Sequence, residues 1–303
     1  MAALLVVAAP ASRRACAMPV VAWGWNAYGQ CDVPAGDDFV DIAGGGTHSL
    51  ALRSDGSLVA WGFNGDGQCD VPLGNDFVDI AAGYRHNVAL KSDGSLAAWG
   101  SGASGQLDVP AGTDFTAISS GGYHSLALRF DGSLIAWGSN KNGQCKVPAG
   151  NDFVAIAAGF AHSLALRSDG SLVAWGLNTD GQADVPGGND FVGIAAGSAH
   201  NVALRADHVL VAWGSNSKGQ CDVPLGFDFI DIAAGNSHNL ALREDGSLLA
   251  WGYNYNGQCN VPPGHDYVNI DGGWYHSLAL IPEPATILLL GLGCLVLLRR
   301  RTQ

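Results

Sequence analysis

Apolar and polar residues follow the same order through most of the chain, in units of 38 residues. A Trp-Gly pair, a histidine and a Val-Pro pair each recur with this spacing. The tryptophans are Trp23, Trp61, Trp99, Trp137, Trp175, Trp213 and Trp251, and the histidines are His48, His86, His124, His162, His200, His238 and His276. A fixed period of this length without insertions indicates a solenoid, a propeller or an array.

Three short segments within each unit have the composition of β-strands. In the second unit, residues 77–82 are apolar and β-branched, and residues 87–91 and 96–99 flank a Ser-Asp-Gly-Ser turn. Asp-Gly between apolar runs indicates a hairpin, because glycine accepts a positive φ without a steric clash. A fourth, shorter strand is predicted over residues 106–109, ending before Pro110 at a sheet edge. No segment has the apolar period of a helix, so the unit is predicted to be a small antiparallel sheet.

The number of hairpins predicts that these sheets form a closed ring. Seven Trp-Gly segments and seven histidine segments are joined by only six Ser-Asp-Gly-Ser-type turns. The missing joint lies between Leu280 and Pro19, so residues 20–23 are expected to pair with residues 277–280. A ring sealed in this way leaves few exposed strand edges. The predicted fold is all-β, a closed seven-bladed β-propeller over residues 19–281 with an added short C-terminal apolar helix.

Composition narrows the classes of partner. The chain of 303 residues has 43 glycines, only 15 Lys and Arg, and a net charge of −12. A nucleic-acid-binding surface needs clustered Lys and Arg, so nucleic acid is not an expected partner. The acidic balance fits an exported soluble domain but does not identify what it binds.

Residues 282–303 resemble the PEP-CTERM sorting signal of Gram-negative bacteria that carry exosortases. The resemblance rests on Pro282, Glu283 and Pro284, an apolar run from Ala285 to Leu298, and Arg299, Arg300 and Arg301. The positive-inside rule keeps the arginines cytoplasmic and the propeller exported. A run of 14 residues gives about 21 Å of helix against about 30 Å of hydrocarbon, which suits transient or short membrane insertion before cleavage. The resemblance implies an exosortase-type enzyme as a partner and a cell-surface or extracellular location after initial inner-membrane anchoring.

Residues 1–18 are interpreted as an incomplete signal segment. Ala2 to Ala9 are apolar, but no positive region precedes them, and Arg13 and Arg14 follow instead. Residues 15–17 have the Ala-x-Ala shape of a cleavage site. We therefore expect the globular domain to begin at about residue 19.

Loops on one face of the predicted disk differ between repeats and contain many aromatic residues. Strand direction alternates, so the Gly-x-x-His turns and the loops after Trp-Gly share this face. The candidate partner-binding residues are Trp25, Tyr28, Phe63, Tyr84, Tyr253, Tyr255, Trp274 and Tyr275. Clustered Trp and Tyr are typical of protein interfaces and of surfaces that stack on carbohydrate. The alternative is that these rings only pack against neighbouring loops and fill gaps between blades.

The other reactive residue types are interpreted as structural. Catalysis needs an asymmetric set of groups, whereas the seven histidines repeat regularly and are expected to bond loop backbone. Residues 64–67 and 178–181 lack the spaced carboxylates of a calcium loop, so no metal and no cofactor are expected. Five cysteines occupy one repeat position and are predicted to be unbridged: Cys31, Cys69, Cys145, Cys221 and Cys259.

The repeat unit resembles the RCC1 repeat over residues 19–280. It reads Ala-Gly-x-x-His-Ser-Leu-Ala-Leu, then Asp-Gly-Ser-Leu-x-Ala-Trp-Gly, then Asn-x-x-Gly-Gln. The short unit with its Val-Pro is similar to the bacterial branch typified by the secreted β-lactamase inhibitory protein II. That resemblance implies a seven-bladed propeller that binds a protein through aromatic side chains on one face. The eukaryotic founder of the family is a nucleotide-exchange factor that binds chromatin, an activity that this acidic chain is not expected to share.

These observations predict a non-enzymatic extracellular or cell-surface binding protein, with a protein or a polysaccharide as its partner. One alternative is an enzyme that processes surface polysaccharide or peptide, although no asymmetric acid–base set is evident. Others are an RCC1-type regulatory scaffold with nucleotide-exchange-like activity and a structural matrix component without a defined ligand.

Overall fold

Each repeat folds into a three-stranded antiparallel sheet, and seven such sheets form the blades of a propeller. The computed structural model describes residues 18–264 and 266–282, so the predicted C-terminal apolar helix and all but the last residue of the predicted signal segment lie outside the described residues. The first strands are Phe39–Gly44 (β2), Phe77–Ala82 (β5), Phe115–Ser120 (β8), Phe153–Ala158 (β11), Phe191–Ala196 (β14), Phe229–Ala234 (β17) and Asn269–Gly272 (β20). The middle strands are His48–Arg53 (β3), His86–Lys91 (β6), His124–Arg129 (β9), His162–Arg167 (β12), His200–Arg205 (β15), His238–Arg243 (β18) and His276–Leu280 (β21). The third strands are Val20–Gly24 (β1), Leu58–Gly62 (β4), Leu96–Gly100 (β7), Leu134–Gly138 (β10), Leu172–Gly176 (β13), Leu210–Gly214 (β16) and Leu248–Gly252 (β19).

The predicted closure of the ring is confirmed. We number the blades in chain order, so that blade 1 contains β2, β3 and β4 and blade 6 contains β17, β18 and β19. Blades 1 to 6 are each continuous in sequence, whereas blade 7 has the strand order β1-β21-β20. Val20 lies opposite Leu280, and Trp23 lies opposite Ser277. The last blade therefore joins the two ends of the repeat region, and its middle strand has a partner on both sides.

Apolar side chains form seven wedges between neighbouring blades. The wedge between blades 1 and 2 includes Leu50, Leu52, Phe77 and Trp99. The wedge between blades 7 and 1 includes Leu278 and Leu280. Because every blade shares a wedge with each neighbour, both faces of the middle strands are buried, and their three central apolar residues, such as Leu50 to Leu52, follow one another without alternating polar residues.

The predicted fourth strand over residues 106–109 is wrong, because this segment is a turn followed by irregular chain. Its polar groups are used by loop and inter-blade bonds instead of a ladder. The Gln106 side chain accepts the Ser104 N–H at 2.6 Å, and the Gln106 carbonyl accepts the Trp137 indole N–H at 2.9 Å. Pro110 also has no N–H to donate.

The ring has two faces with different loops. The aromatic face contains the Gly-x-x-His turns and the loops after Trp-Gly. The turn face contains the Asp-Gly turns and the starts of the first strands, because Phe39 pairs with Arg53 beside the turn. Both described chain ends also lie on the turn face, where the Ile281 N–H donates to the Pro19 carbonyl at 3.2 Å. No helix among the described residues is long and apolar enough to cross a membrane.

The Asp-Gly turns need a residue with positive φ. Glycine fills this place in five turns, with φ between 78° and 85° at positions such as Gly56 and Gly246. His208 takes the same conformation in blade 5, with φ of 65°. Its Nδ1 lies 2.8 Å from the Phe229 carbonyl oxygen, so one hydrogen bond offsets part of the backbone strain.

Candidate functional site

Ten aromatic rings form one connected cluster on the aromatic face. Six of them follow each other along the loops of blades 6, 7 and 1, and we call them the rim arc. Its members, in order of contact, are Tyr255, Tyr253, Tyr275, Trp25, Tyr28 and Phe63, with ring centroids 6.4, 6.3, 5.9, 5.4 and 5.0 Å apart. Most contacts are edge-to-face, the geometry that the quadrupoles of aromatic rings favour.

The other four rings form the axial group near the centre of the ring. Trp274 stacks on Tyr84 with centroids 4.1 Å apart and also contacts Phe160 at 5.4 Å. Tyr123 contacts both Tyr84 and Phe160. Trp274 and Tyr275 meet at 6.1 Å, so the axial group and the rim arc are continuous.

All eight sequence-predicted residues lie in this cluster, although their partner-binding role stays a prediction. Sequence reasoning missed Tyr123 and Phe160, which belong to blades 3 and 4. The Gly-x-x-His turns bend towards the axis, so Phe160 and Trp274 meet across the ring although they come from well-separated blades. The signal that was available is the variation of this loop from repeat to repeat.

Two glycines make room for the axial group. A methyl group on Gly46 would lie 2.9 Å from a Tyr84 ring carbon, and one on Gly122 would lie 2.6 Å from a Phe160 ring carbon. Small residues in blades 1 and 3 therefore alternate with rings from blades 2 and 4. Together with Trp274, these rings line a cavity of about 60 Å³ at the aromatic-face end of the central channel.

The rim arc is the more accessible part of the cluster. Tyr255 is 85% exposed and Tyr28 is 50% exposed, whereas the other rings are half-buried. Two nearby charged side chains form ion-pair or cation–π contacts. Arg85 pairs with Asp66 at 3.2 Å and also lies over the Tyr84 ring, and Lys218 lies over the Tyr253 ring at 5.7 Å. The surface thus presents aromatic rings that are largely apolar, with tyrosine hydroxyl groups that can form hydrogen bonds. Protein interfaces are enriched in such residues.

The seven histidines form a belt that links each blade to the next. His48 Nε2 lies 2.7 Å from Asn87 Oδ1, and His276 Nε2 lies 2.9 Å from the Ser49 hydroxyl. Ser49 in turn donates to the Gln30 carbonyl, which also accepts the Trp61 indole N–H at 2.9 Å. The expectation that the rings bond loop backbone is therefore corrected. They bond Ser or Asn side chains, which transmit the contact to the backbone.

These contacts fix the histidines as neutral structural groups. The hydroxyl proton of Ser49 is used on Gln30, so His276 donates its Nε2 proton and Nδ1 stays unprotonated. Burial lowers the pKa of His86 and His276 to about 3 and that of His48 to about 4. A proton on Nδ1 would be buried without a partner, so the belt excludes imidazolium at neutral pH.

The first strands line a central channel of about 330 Å³. Asp271 lies in its wall and accepts the Gly44 N–H at 2.7 Å. Burial raises the pKa of Asp271 to about 6, and the neighbouring charges of Asp41 and Asp231 add to this effect. Among the described residues, no group of three or more His, Cys, Asp or Glu could hold a metal ion.

The five cysteines are unbridged and half-buried. The Cys31 thiol donates to the Trp25 carbonyl at 3.4 Å, and the Cys259 thiol donates to the Tyr253 carbonyl at 3.3 Å. Each thiol therefore holds the loop that positions a ring of the rim arc. Burial raises the pKa of both thiols to about 12 and that of Cys145 to about 11.

These thiols are expected to react slowly with iodoacetamide at pH 8. A thiol pKa two to three units above its ordinary value lowers the thiolate fraction roughly 100-fold or more. Peptide mass spectrometry should show alkylation of Cys31 and Cys259 at least about 100-fold slower in the native chain than in urea. Equal rates in both conditions would contradict the buried geometry.

Comparisons with known proteins add a family and a fold. A sequence model described as the regulator of chromosome condensation (RCC1) repeat matches residues 39–68, 77–106, 115–144, 153–182, 191–220 and 229–258. A model of the PEP-CTERM protein-sorting motif matches residues 280–301. No curated protein sequence gives a match.

Several solved structures have the same fold at low sequence identity. Prp20p from Saccharomyces cerevisiae, which was studied for its binding to Gsp1p and histones, has 18% identity and a TM-score of 0.75, over 92% of this chain and 96% of that one. Human WBSCR16 also has 18% identity and a TM-score of 0.75, over 88% and 100% of the chains. The ectodomain of the Arabidopsis thaliana receptor kinase ACR4 has 20% identity and a TM-score of 0.65, over 81% and 98%.

Proposed function

Because this chain belongs to the RCC1 repeat family, we propose that it is a propeller-type binding protein that captures an extracellular partner on its aromatic face. The observation that carries the proposal is the cluster of ten connected rings. Trp and Tyr anchors dominate the energetics of recognition surfaces, and a rigid propeller holds them in place and so reduces the conformational entropy lost on binding. The partner is a protein or a polysaccharide.

The sorting motif supports an exported protein at a bacterial cell envelope, processed by exosortase-type machinery. Pro282, the last described residue before the rest of that motif, lies on the turn face. The aromatic face is opposite, so a tail held at the envelope would present the rings to the surroundings. This polarity fits capture of a partner from outside the cell.

We do not carry the partners of Prp20p over to this chain, because a net charge of −12 opposes contact with DNA or with another polyanion. The 38-residue unit and the one-sided aromatic cluster support instead a relationship to the bacterial inhibitory-protein branch. A non-catalytic role is supported by the buried, neutral histidines, which cannot exchange protons with a substrate.

Replacing the two exposed tyrosines is expected to weaken capture strongly. A double variant, Tyr28→Ala with Tyr255→Ala, removes anchors that contribute about 2 kcal/mol or more, equal to about a thirtyfold loss of affinity. The full chain, immobilised in mild detergent, is exposed to the extracellular fraction of the producing cells, and the retained protein and sugar are quantified. Both side chains are exposed, so the ring should keep its stability.

Phe130→Ala is the matched control, because Phe130 is 85% exposed, like Tyr255, but lies on the turn face. It should capture as much material as the unmodified chain. Equal capture by the double tyrosine variant and the unmodified chain would refute recognition by the rim arc. Protease or glycosidase treatment of the retained fraction then distinguishes a protein from a polysaccharide.

A further inference from the structure

The large exposed apolar side chains of the described residues are distributed unequally between the two faces. On the aromatic face, the strongly exposed rings are the tyrosines Tyr28 and Tyr255, which have a hydroxyl group. On the turn face, five large apolar side chains of the described residues are exposed: Leu73 at 98%, Leu225 at 96%, Phe130 at 85%, Phe227 at 80% and Ile230 at 44%. Single exposed apolar residues are ordinary, but their confinement to one face calls for a physical cause.

Three of the five lie within six residues of the chain, where blade 5 connects to blade 6. Leu225 and Phe227 are in the segment that leads into β17, and Ile230 is its second residue. The ladder shifts register between Phe229 and Asp231, and the bulged residue Ile230 is 44% exposed, whereas Val40 at the same place in β2 is buried. The residues that correspond to Phe227 in other repeats include Asn75, Asn151 and Asn189. This connection therefore has an apolar side chain where those repeats have a polar one.

The course of the chain brings the turn face close to any membrane that the tail enters. The middle strand β21 ends at Leu280 beside Val20, and Pro282 follows on the same face. The apolar run of the sorting tail begins at Ala285, only three residues later. Three residues span at most about 11 Å, so a tail inserted from Ala285 onwards would hold the turn face within that distance of the membrane surface.

The charge on this face limits the kind of membrane. Six ion pairs each neutralise one aspartate charge: Arg53–Asp38, Lys91–Asp76, Arg129–Asp114, Arg167–Asp152, Arg205–Asp190 and Arg243–Asp228. The carboxylates of the Asp-Gly turns, including Asp55, Asp93 and Asp169, add negative charge, and hydrogen bonds from the following serines lower their pKa. The face is therefore net negative and is repelled by anionic lipid.

We propose that the turn face rests on a zwitterionic bilayer while the tail is inserted, with Leu73, Phe130 and the junction formed by Leu225, Phe227 and Ile230 placed among the headgroups. Apolar side chains gain free energy on leaving water, and the short link allows them to reach the interface. The propeller is then docked flat with the aromatic face outward. This proposal uses the sorting motif but does not depend on partner capture by the aromatic rings.

Hydrogen exchange of the full chain in phosphatidylcholine nanodiscs tests the docking. Relative to the full chain in detergent, amides in peptides covering residues 72–76, 129–133 and 224–230 should exchange about tenfold more slowly, because the interface restricts the openings that permit exchange. Peptides covering residues 26–29 and 254–257 on the aromatic face should be unchanged. Nanodiscs with phosphatidylglycerol should give less protection of the turn face at low salt.

A variant separates docking from simple tethering. Leu225→Ser with Phe227→Ser removes two exposed side chains, so the fold is spared, and the tail still holds the chain on the nanodisc. Protection of residues 224–230 should disappear in this variant and remain in the control Tyr255→Ser. If the unmodified chain stays on the nanodisc without protection of the turn face, or with equal protection of both faces, the proposal is wrong. Capture of an extracellular partner can succeed or fail independently of either result.

Discussion

Acidification from pH 7 to pH 5 is expected to unfold the propeller. The seven buried histidines have pKa values lowered by burial, to about 3 or 4 where the shift is large. In the unfolded chain each takes up a proton near its ordinary pKa of about 6.5. The stability from the neutral belt is complete above pH 6.5 and is lost as the pH falls towards the pKa of the folded state.

The free energy of unfolding is expected to depend steeply on pH, because the contributions of the seven histidines add. Each proton bound only by the unfolded chain lowers the free energy of unfolding by about 1.4 kcal/mol per pH unit, so seven give on the order of 10 kcal/mol per unit. Asp271 opposes this by one proton, since its raised pKa of about 6 stabilises the folded state in acid. A typical domain is stable by only about 5–15 kcal/mol, so the transition should fall between roughly pH 6 and 5.

Urea unfolding at several pH values, followed by circular dichroism, gives the slope. A double variant, His86→Gln with His238→Gln, keeps a donor towards Ser125 and Ser277 and removes two titrating groups. Its slope should be smaller by about 3 kcal/mol per pH unit. An unfolding free energy that is flat between pH 7 and 5 would show that the histidines are not buried in the neutral form.

Gly159→Ala is expected to destabilise the ring by about 3 kcal/mol or more, because the added methyl group overpacks a junction between blades. It would lie 2.5 Å from His162 Nδ1 and 2.7 Å from the Gly197 carbonyl of the next blade. Real Cβ contacts of this length do not occur, so the belt histidine or the neighbouring backbone must move. The displaced ring would also lose its bond to Asn201, which is 2.8 Å long.

Gly187→Ala is the matched control, because a methyl group there meets no atom within 4 Å. It should leave stability unchanged or raise it slightly by restricting the unfolded chain. Thermal unfolding of both variants at pH 8, where the histidines are neutral in either state, separates packing from titration. A Gly159→Ala protein as stable as the Gly187→Ala protein would contradict the close approach of the loops.

The repeat allowed most of the fold to be predicted from the sequence. Counting six hairpins for seven Trp-Gly segments was enough to predict that Val20 pairs with Leu280, because strand pairing follows from chain order and the need to bury edges. The conformation of the short segment after Gln106 could not be predicted in this way. The Gln106 side chain bonds its own loop and the Gln106 carbonyl bonds the Trp137 indole, so neither group is used in a strand ladder. The second of these bonds depends on the position of the neighbouring blade.

The candidate site was predictable by composition but not by position. Aromatic residues in variable loops could be recognised, yet the inward bend of the turns that brings Phe160 to Trp274 is not encoded in the repeat register. The histidine partners had a readable signal. Every belt histidine is followed by Ser or Asn. Each histidine bonds the Ser or Asn that follows the histidine of the next repeat, as His86 bonds Ser125 and His124 bonds Ser163.

The mixed origin of blade 7 constrains when the molecule can become native. The Trp23 indole donates to the Gln258 carbonyl, which is 235 residues away, so this joint cannot form until nearly the whole chain has left the ribosome. Contacts between such distant segments also form slowly, because a long loop must be ordered first. An exported chain gains from this delay. It remains unsealed, and therefore able to be threaded through a translocation channel, until its last repeat has been synthesised.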